Sequence, residues 1–481
     1  MSEVERQSRF ERGDDVVVMK FGGTSVQDEA AIRRLIEIVR SRRGVRPVVV
    51  VSALAKVTDQ LLEAGKAASS GHLGAALAAV RDIYVRHEHL ADQLLGNSAY
   101  GALDRELRGC FRALESLLLE LEVAGELNRR QQDQLLGFGE CFSSKLIEAV
   151  FCENGIKASH VDARTCIITD RKHGQASPVW DATNDRLRER LTPMLKVGCV
   201  PVLGGFIASS EEGVPTTLGR GGSDFTASIV GAALCATRVE IWTDVDGVMT
   251  TDPKLCADAR VIRKISFDEA AELAHFGARV LHPSTLAPAI RENIPVRVLN
   301  ARKPEGEGTE IVLRAHTGKR VTAITAKRHV VAVDITLTRS IDSGLLGEVF
   351  AAFDRHHCPV DVMATGLRRI GLLVGSTGPL PAIAAQLKGI AQLKWEDDRA
   401  LICLIGEDIR RQPAVASRAF AAISDMDVRV LCQSASDRTI SFLVEESRVE
   451  EAVERLHRLF FPKPEPARDW GGISTAYCQA G

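Results

Sequence analysis

The sequence predicts an α/β protein: a sandwich built on a central, largely parallel sheet, followed by two smaller ferredoxin-like units. Two observations carry this expectation. The chain opens with strand, glycine turn, helix and strand, and a later β-α-β-β-α-β order recurs at a spacing of 70 residues.

The first strand is Val16-Val17-Val18-Met19, running into Lys20-Phe21-Gly22-Gly23-Thr24-Ser25. A helix is expected over 28–43, with Ile32, Leu35, Ile36 and Val39 on one face. The apolar run 47–51 is a second strand, buried on both faces as parallel strands are. Residues 59–136, rich in Ala, Leu and Glu, read as a block of three or four helices. Strands resume at Val161, 200–203, 239–242 and 296–299, alternating with helices over 224–234 and 267–276.

A polar Gly/Pro stretch at 302–308 suits a domain edge. Beyond it, Phe350-Ala351-Ala352 recurs as Phe420-Ala421-Ala422, each triplet on a helix between strands. The expected division is a disordered tail at 1–15, a sheet domain at 16–315, and small units at 321–395 and 396–481. The strand at 321–327 is free to interleave with the second of these.

Lys plus Arg number 61 and Asp plus Glu 63, a net charge of −2, so no basic field exists for nucleic acid or an anionic membrane. With 45% hydrophobic and 26% charged residues, wholesale disorder is excluded. No apolar run approaches the roughly 20 residues of a membrane span. The charged first fifteen residues lack the apolar stretch of a signal peptide, so a cytoplasmic protein is expected. The 11 cysteines form no C-x-x-C pair, which argues for reduced thiols and against a zinc ribbon. No H-E-x-x-H occurs, no metal ligands are expected, and His87-Glu88-His89 reads as a solvated helix face.

Neither a G-x-x-x-x-G-K-[ST] loop nor a strand-linked G-x-G-x-x-G is present. In their place stands Lys20 before Gly22-Gly23, where backbone amides can approach an anion and the lysine can neutralise a transferring phosphoryl group. A second constellation, Thr216 to Asp224, puts a cation, two glycines, a hydroxyl and a carboxylate at a helix start; simple capping by Ser223 or Asp224 is its plainer reading. Asp244-Val245-Asp246-Gly247 follows an apolar strand and, alone, resembles the haloacid-dehalogenase phosphatases. Its late position in the sheet domain argues against them. Glu140, in Gly137-Phe138-Gly139-Glu140, becomes a candidate partner for a substrate ammonium.

Taken in order, K-F-G-G-T-S at 20–25, G-F-G-E at 137–140, T-L-G-R-G-G-S-D at 217–224, T-D-V-D-G-V at 243–248 and F-G-A-R-V-L-H-P at 276–283 resemble the aspartate kinase family. The resemblance spans about residues 16 to 465 and includes paired C-terminal ACT units. It implies the amino-acid-kinase fold and ATP-dependent phosphorylation of the L-aspartate side-chain carboxylate, with Mg²⁺ held through ATP phosphates. By position, it implies that Lys20, Gly22 and Gly23 hold the transferred phosphoryl group and that Asp224 orients the lysine. Ser52, Thr58 and Ser223 would lie near the substrate, Glu140 would pair its ammonium, Arg220 its α-carboxylate, and Phe206 would pack over it. Thr243, Asp244, Met249, Lys254 and Arg279 match nucleotide contacts, Met249 and Arg279 standing where relatives often carry Tyr and Lys.

In the first ACT unit the resemblance points to an amino-acid effector near Asp342, Gly344, Leu345, Leu346, Asp361 and Thr365. Gly366-Leu367 replaces a Ser-Glu pair there and Arg339 an apolar residue, so a lysine response is not expected. A homodimer or higher homo-oligomer through the ACT units is expected. Two other readings stand beside the kinase: a catalytically silent ACT-type sensor, and a sister kinase acting on another carboxylate or a carbamate.

Overall fold

The computed structural model describes residues 15–42, 44–277, 283–315, 321–433 and 437–463. The expected tail at 1–15 therefore lies outside the described residues except for Asp15, as does Arg279. The chain forms two compact units, one comprising residues 1–249 and 261–318, the other 250–260 and 319–481.

The first unit is built on a sheet of β3 (Ala158–Val161), β5 (Val200–Gly204), β2 (Arg46–Val51), β1 (Val16–Phe21), β8 (Arg238–Thr243), β10 (Val296–Asn300), β11 (Thr309–Val312) and β9 (Lys264–Ser266), in that spatial order. All neighbours are parallel except β10 and β11. Val17, Val18 and Met19 of β1 and Val48 to Val51 of β2 are wholly buried. Such continuous burial means that both sheet faces are covered.

The helix after β1, α1 (Glu29–Ser41), is two residues shorter at its end than the periodicity suggests. Asp28 stands outside it as the N-cap, accepting the Ala31 amide at 2.8 Å. The helical block resolves into α2 (Val57–Ser69), α3 (Leu73–Leu94), α4 (Asn97–Ala124) and α5 (Arg129–Leu136), followed by α6 (Phe138–Glu153). His87, expected on a solvated face, is instead fully buried on α3, its ring 5.2 Å from that of Phe142 and its Nδ1 bonded to Ile83 O. Its apolar neighbours at 83, 90 and 91 lie on the same stripe, and burial holds its pKa down at about 4. A small second sheet comprises β4 (Ile168–Thr169), β6 (Ile207–Ser210) and β7 (Pro215–Thr217). It leads into α8 (Gly222–Leu234).

In the second unit the two ferredoxin-like repeats share one six-stranded sheet, ordered β13-β14-β12-β15-β17-β16. These are β12 (Ala323–Leu337), β13 (Val360–Thr365), β14 (Arg369–Val374), β15 (Ala391–Ile405), β16 (Arg429–Gln433) and β17 (Thr439–Glu445). β12 and β15 each run through both repeats. Residues 323–327 pair with 401–405, and 330–337 with 391–399. A division at 395/396 therefore falls inside one continuous strand. The segment Thr250–Arg260, expected within the sheet domain, groups with this second unit. Leu255 and Cys256 join its core beside Ile324, Ile402 and Leu404, and Thr250 Oγ1 is 2.9 Å from His457 Nε2.

Candidate active site

The carboxyl ends of β1, β2 and β5 converge on one cleft of about 350 Å³, the usual place for a ligand in an open parallel sheet. Its lining includes Lys20, Gly23, Ser52, Thr58, Glu140, Phe206, Ser223 and Asp224. Residues drawn from widely separated sequence positions thus share one wall.

Lys20 is the penultimate residue of β1, and its Nζ lies 2.7 Å from Asp224 Oδ1; both side chains are about seven-eighths buried. The contact is an ion pair whose angles leave that oxygen without a hydrogen bond. Asp224 is available because it does not cap α8. The N-cap is Gly221, at φ 71°, with no side-chain capping bond, so the capping reading of Ser223 and Asp224 does not hold. Only glycine takes that left-handed conformation without penalty.

Glu140 is 3% exposed near the start of α6. Its Oε1 accepts the Ala53 amide at 3.2 Å, while Oε2 is buried without a hydrogen-bond partner among the described residues. Burial raises its pKa to about 8, against the opposing pull of the Ala53 amide and the Lys20 charge. An unpaired, buried carboxylate oxygen at a cleft is a receptor for a cation.

The glycine turn is held in place by the neighbouring strand. Gly22 donates its amide to Trp242 O at 3.1 Å, so that amide serves the scaffold in this structure. Gly23 is the tight position: a Cβ there would lie 2.9 Å from Ala53 O. Phe206 sits at φ 66°, its amide donated to Thr226 Oγ1 at 3.0 Å. Arg220 is exposed between two cleft-lining glycines.

Thr243 ends β8, the neighbour of β1, Asp244 follows it, and Thr243 Oγ1 donates to Asp244 Oδ1 at 3.3 Å. Met249 follows in the first unit, bridged to Val261. None of these lines the cleft around Lys20. Lys254 belongs to the segment that groups with the second unit.

Sequence reasoning missed two supports. Asp133 on α5 is 2% exposed and accepts from Thr217 Oγ1 at 2.5 Å and from the Gly174 amide at 3.0 Å, with His173 Nδ1 at 2.7 Å. It thereby fixes the end of β7, three residues before Arg220. Arg86 on α3 donates to Ala55 O at 2.8 Å and to Gln27 O at 3.0 Å, tying together two loops beside the cleft. Neither residue stands in a motif; on a helix each reads as a charged outer face.

In the second unit, Asp342 caps α11 (Ser343–Arg355), accepting the Leu345 amide at 2.8 Å, and pairs with Arg339. Leu345 is buried, while Gly344 and Thr365 are exposed and Leu346 packs partly against the core. Asp361 on β13 is already engaged: Lys327 Nζ lies 2.6 Å from its Oδ2. The Arg368 guanidinium donates to Leu337 O and Thr338 O at 3.0 and 2.9 Å.

Residues 15–300 match the amino acid kinase family and residues 402–460 the ACT domain. The chain is 34% identical over 457 residues to lysine-sensitive aspartokinase 3 of Escherichia coli, covering 93% of this chain and 99% of that one. The structure of E. coli aspartokinase III in complex with aspartate and ADP matches with a TM-score of 0.78 at 33% identity, over 93% of this chain and 100% of that chain. The same enzyme in complex with lysine and aspartate matches with a TM-score of 0.80 at 33% identity, over 93% and 99%. With the amino acid kinase match covering more than half of the chain and a relative of 34% identity matched almost end to end, the chain belongs to the aspartokinase family.

Proposed function

We infer that this protein is an ATP-dependent aspartate kinase, transferring the γ-phosphoryl group to the side-chain carboxylate of L-aspartate. The product is 4-phospho-L-aspartate, which enters the aspartate-derived amino-acid pathway. The observation that carries this reading is the buried, unpartnered Glu140 Oε2 in the same cleft as the Lys20–Asp224 pair. One group suits an α-ammonium and the other a migrating phosphoryl group.

A carboxylate is already a nucleophile at neutral pH, so no general base is required. A carboxylate oxygen forms a bond to the γ-phosphorus as the bond to the β,γ-bridging oxygen breaks, and ADP leaves with the electron pair. Catalysis is then alignment and charge neutralisation. Glu140 anchors the ammonium, Arg220 closes on the α-carboxylate, and Phe206 packs against the bound amino acid. Ser52, Thr58 and Ser223 supply hydroxyls, and Lys20 faces the phosphoryl group with the Gly22-Gly23 turn. Thr243, Asp244, Met249, Lys254 and Arg279 are assigned to the nucleotide.

Asp224 is engaged by Lys20, so Mg²⁺ is assigned to the ATP phosphates and water and not to a carboxylate cage. When bound, it neutralises phosphate charge. Among the described residues no helix is long and apolar enough to cross a membrane, and we place the enzyme in the cytoplasm. We also propose a homodimer through the first ACT repeat. There β13 is an edge strand, and Met363, Leu367 and Trp395 are 41, 79 and 38% exposed.

The test is hydroxamate trapping with ATP, Mg²⁺ and a panel of amino acids. Aspartyl hydroxamate is expected. Product with glutamate alone would move the assignment to a sister kinase, and no product with any acceptor would favour a sensor.

A further inference from the structure

We propose that Lys56 is a second cation of the phosphoryl-transfer site, presented by a loop pinned in a left-handed conformation. This inference rests on the aspartate kinase reading above.

Lys56 lines the same cleft as Lys20, Ser52, Thr58 and Glu140. Its backbone lies at φ 71°, ψ −7°, where glycine sits freely and a residue with a Cβ does not. The position is the N-cap of α2, yet the side chain makes no capping bond. Among the described residues its ammonium has no ion-pair partner, whereas Lys20 is held by Asp224. A strained, exposed lysine whose side chain has no structural duty therefore stands at the cleft where two anions must meet.

The surroundings explain why the conformation persists. The Ala53 amide is donated to Glu140 Oε1, the Ala55 amide to Gly23 O at 3.2 Å, and Ala55 O accepts from Arg86. After the turn, Gln60 N donates to Lys56 O at 3.0 Å as α2 begins. Pinned on both sides of residue 56, the loop has no freedom to relax, and strain over-determined in this way concentrates at functional sites.

The chemistry gives the ammonium a task. An aspartate carboxylate and the γ-phosphate of ATP repel each other as they approach, and the Lys20 charge is already paired with Asp224. Lys56, on a flexible four-carbon stem, reaches the incoming carboxylate and the equatorial phosphoryl oxygens as the new oxygen–phosphorus bond forms. No proton moves, and the lysine stays charged throughout.

The experiment compares the full-length wild type with Lys56→Gly, Lys56→Met and Lys56→Arg, measuring kcat, both KM values and Tm. Lys56→Gly removes the ammonium and the strain together, so Tm is expected to hold or rise. Its kcat is expected to fall about tenfold or more, with both KM values within about threefold. Lys56→Met should lose kcat similarly, and Lys56→Arg should recover most of it. A Lys56→Gly enzyme with wild-type kcat, a loss confined to KM, or a parallel loss of kcat and Tm would each overturn the assignment. A wild type that makes no aspartyl hydroxamate would overturn the kinase reading itself, a result visible before any variant is made.

Discussion

The Ala53 amide reaches Glu140 Oε1 at 3.2 Å, and among the described residues nothing bonds the other, buried carboxylate oxygen of Glu140. One oxygen is committed to the scaffold and one is reserved. Because burial lifts the pKa to about 8, the free enzyme protonates Glu140 as pH drops through that value. The charged form is the one that pairs an ammonium. The kcat/KM for aspartate is therefore expected to climb towards a plateau above about pH 8, and Glu140→Gln should flatten the profile and raise the aspartate KM. An unchanged profile in Glu140→Gln would count against the pairing.

The same group affects folding with the opposite sense. In the unfolded chain it titrates near 4.5, so between about 4.5 and 8 the folded state holds more protons and loses stability as pH rises. Glu140→Gln is expected to raise Tm at pH 8 more than at pH 5, read by thermal melts at both values.

Lys20→Met should lower kcat by about 10²–10³-fold with a smaller change in the aspartate KM, since its contact strengthens as charge moves onto the phosphoryl group. A change in KM alone, seen in steady-state kinetics, would remove Lys20 from that role.

Asp133→Ala leaves the Thr217 hydroxyl and the Gly174 amide without their buried acceptor. A loss of about 1–3 kcal/mol is expected for unsatisfied donors. The aspartate KM should rise through the displaced Arg220 loop while the ATP KM holds. Thermal melts and two-substrate kinetics would check both halves.

Both carboxylates of the expected effector site already face cations of their own chain, Asp342 with Arg339 and Asp361 with Lys327. A cationic amino acid would have to displace one. Half-inhibition by lysine alone is therefore not expected below about 1 mM, an affinity of roughly −4 kcal/mol. Activity titrated with lysine, threonine and methionine, singly and in pairs, decides this.

Sedimentation is expected to show a dimer or larger assembly at micromolar concentration, with Met363→Lys and Leu367→Lys shifting it towards monomer. A wild-type monomer would refute the proposed interface.

Much of this was legible because the relevant signals are local. The buried strands, the glycine turn after Lys20 and the recurring Phe-Ala-Ala triplet each declare themselves within a dozen residues. The pairing of Lys20 with Asp224 became legible only through resemblance, since 204 residues separate them. Asp133 and Arg86 were illegible because their partners are backbone groups, a hydroxyl and an imidazole on other elements, which leave no periodic trace. His87 was misread because a polar residue in a charged triplet hides the apolar stripe beneath it. The continuity of β12 and β15 through both repeats escaped because strand signals weaken where the chain is exposed, at 328–329 and 394–398.

The loop Thr250–Arg260 makes each unit discontinuous along the chain. A cut near residue 318 would strip the second unit of Leu255 and Cys256 and of the Thr250 hydroxyl that meets His457. The other fragment would carry those apolar side chains with no core to receive them. Transplanting this second unit onto another kinase thus means moving two segments through three junctions, where a contiguous domain would need only one.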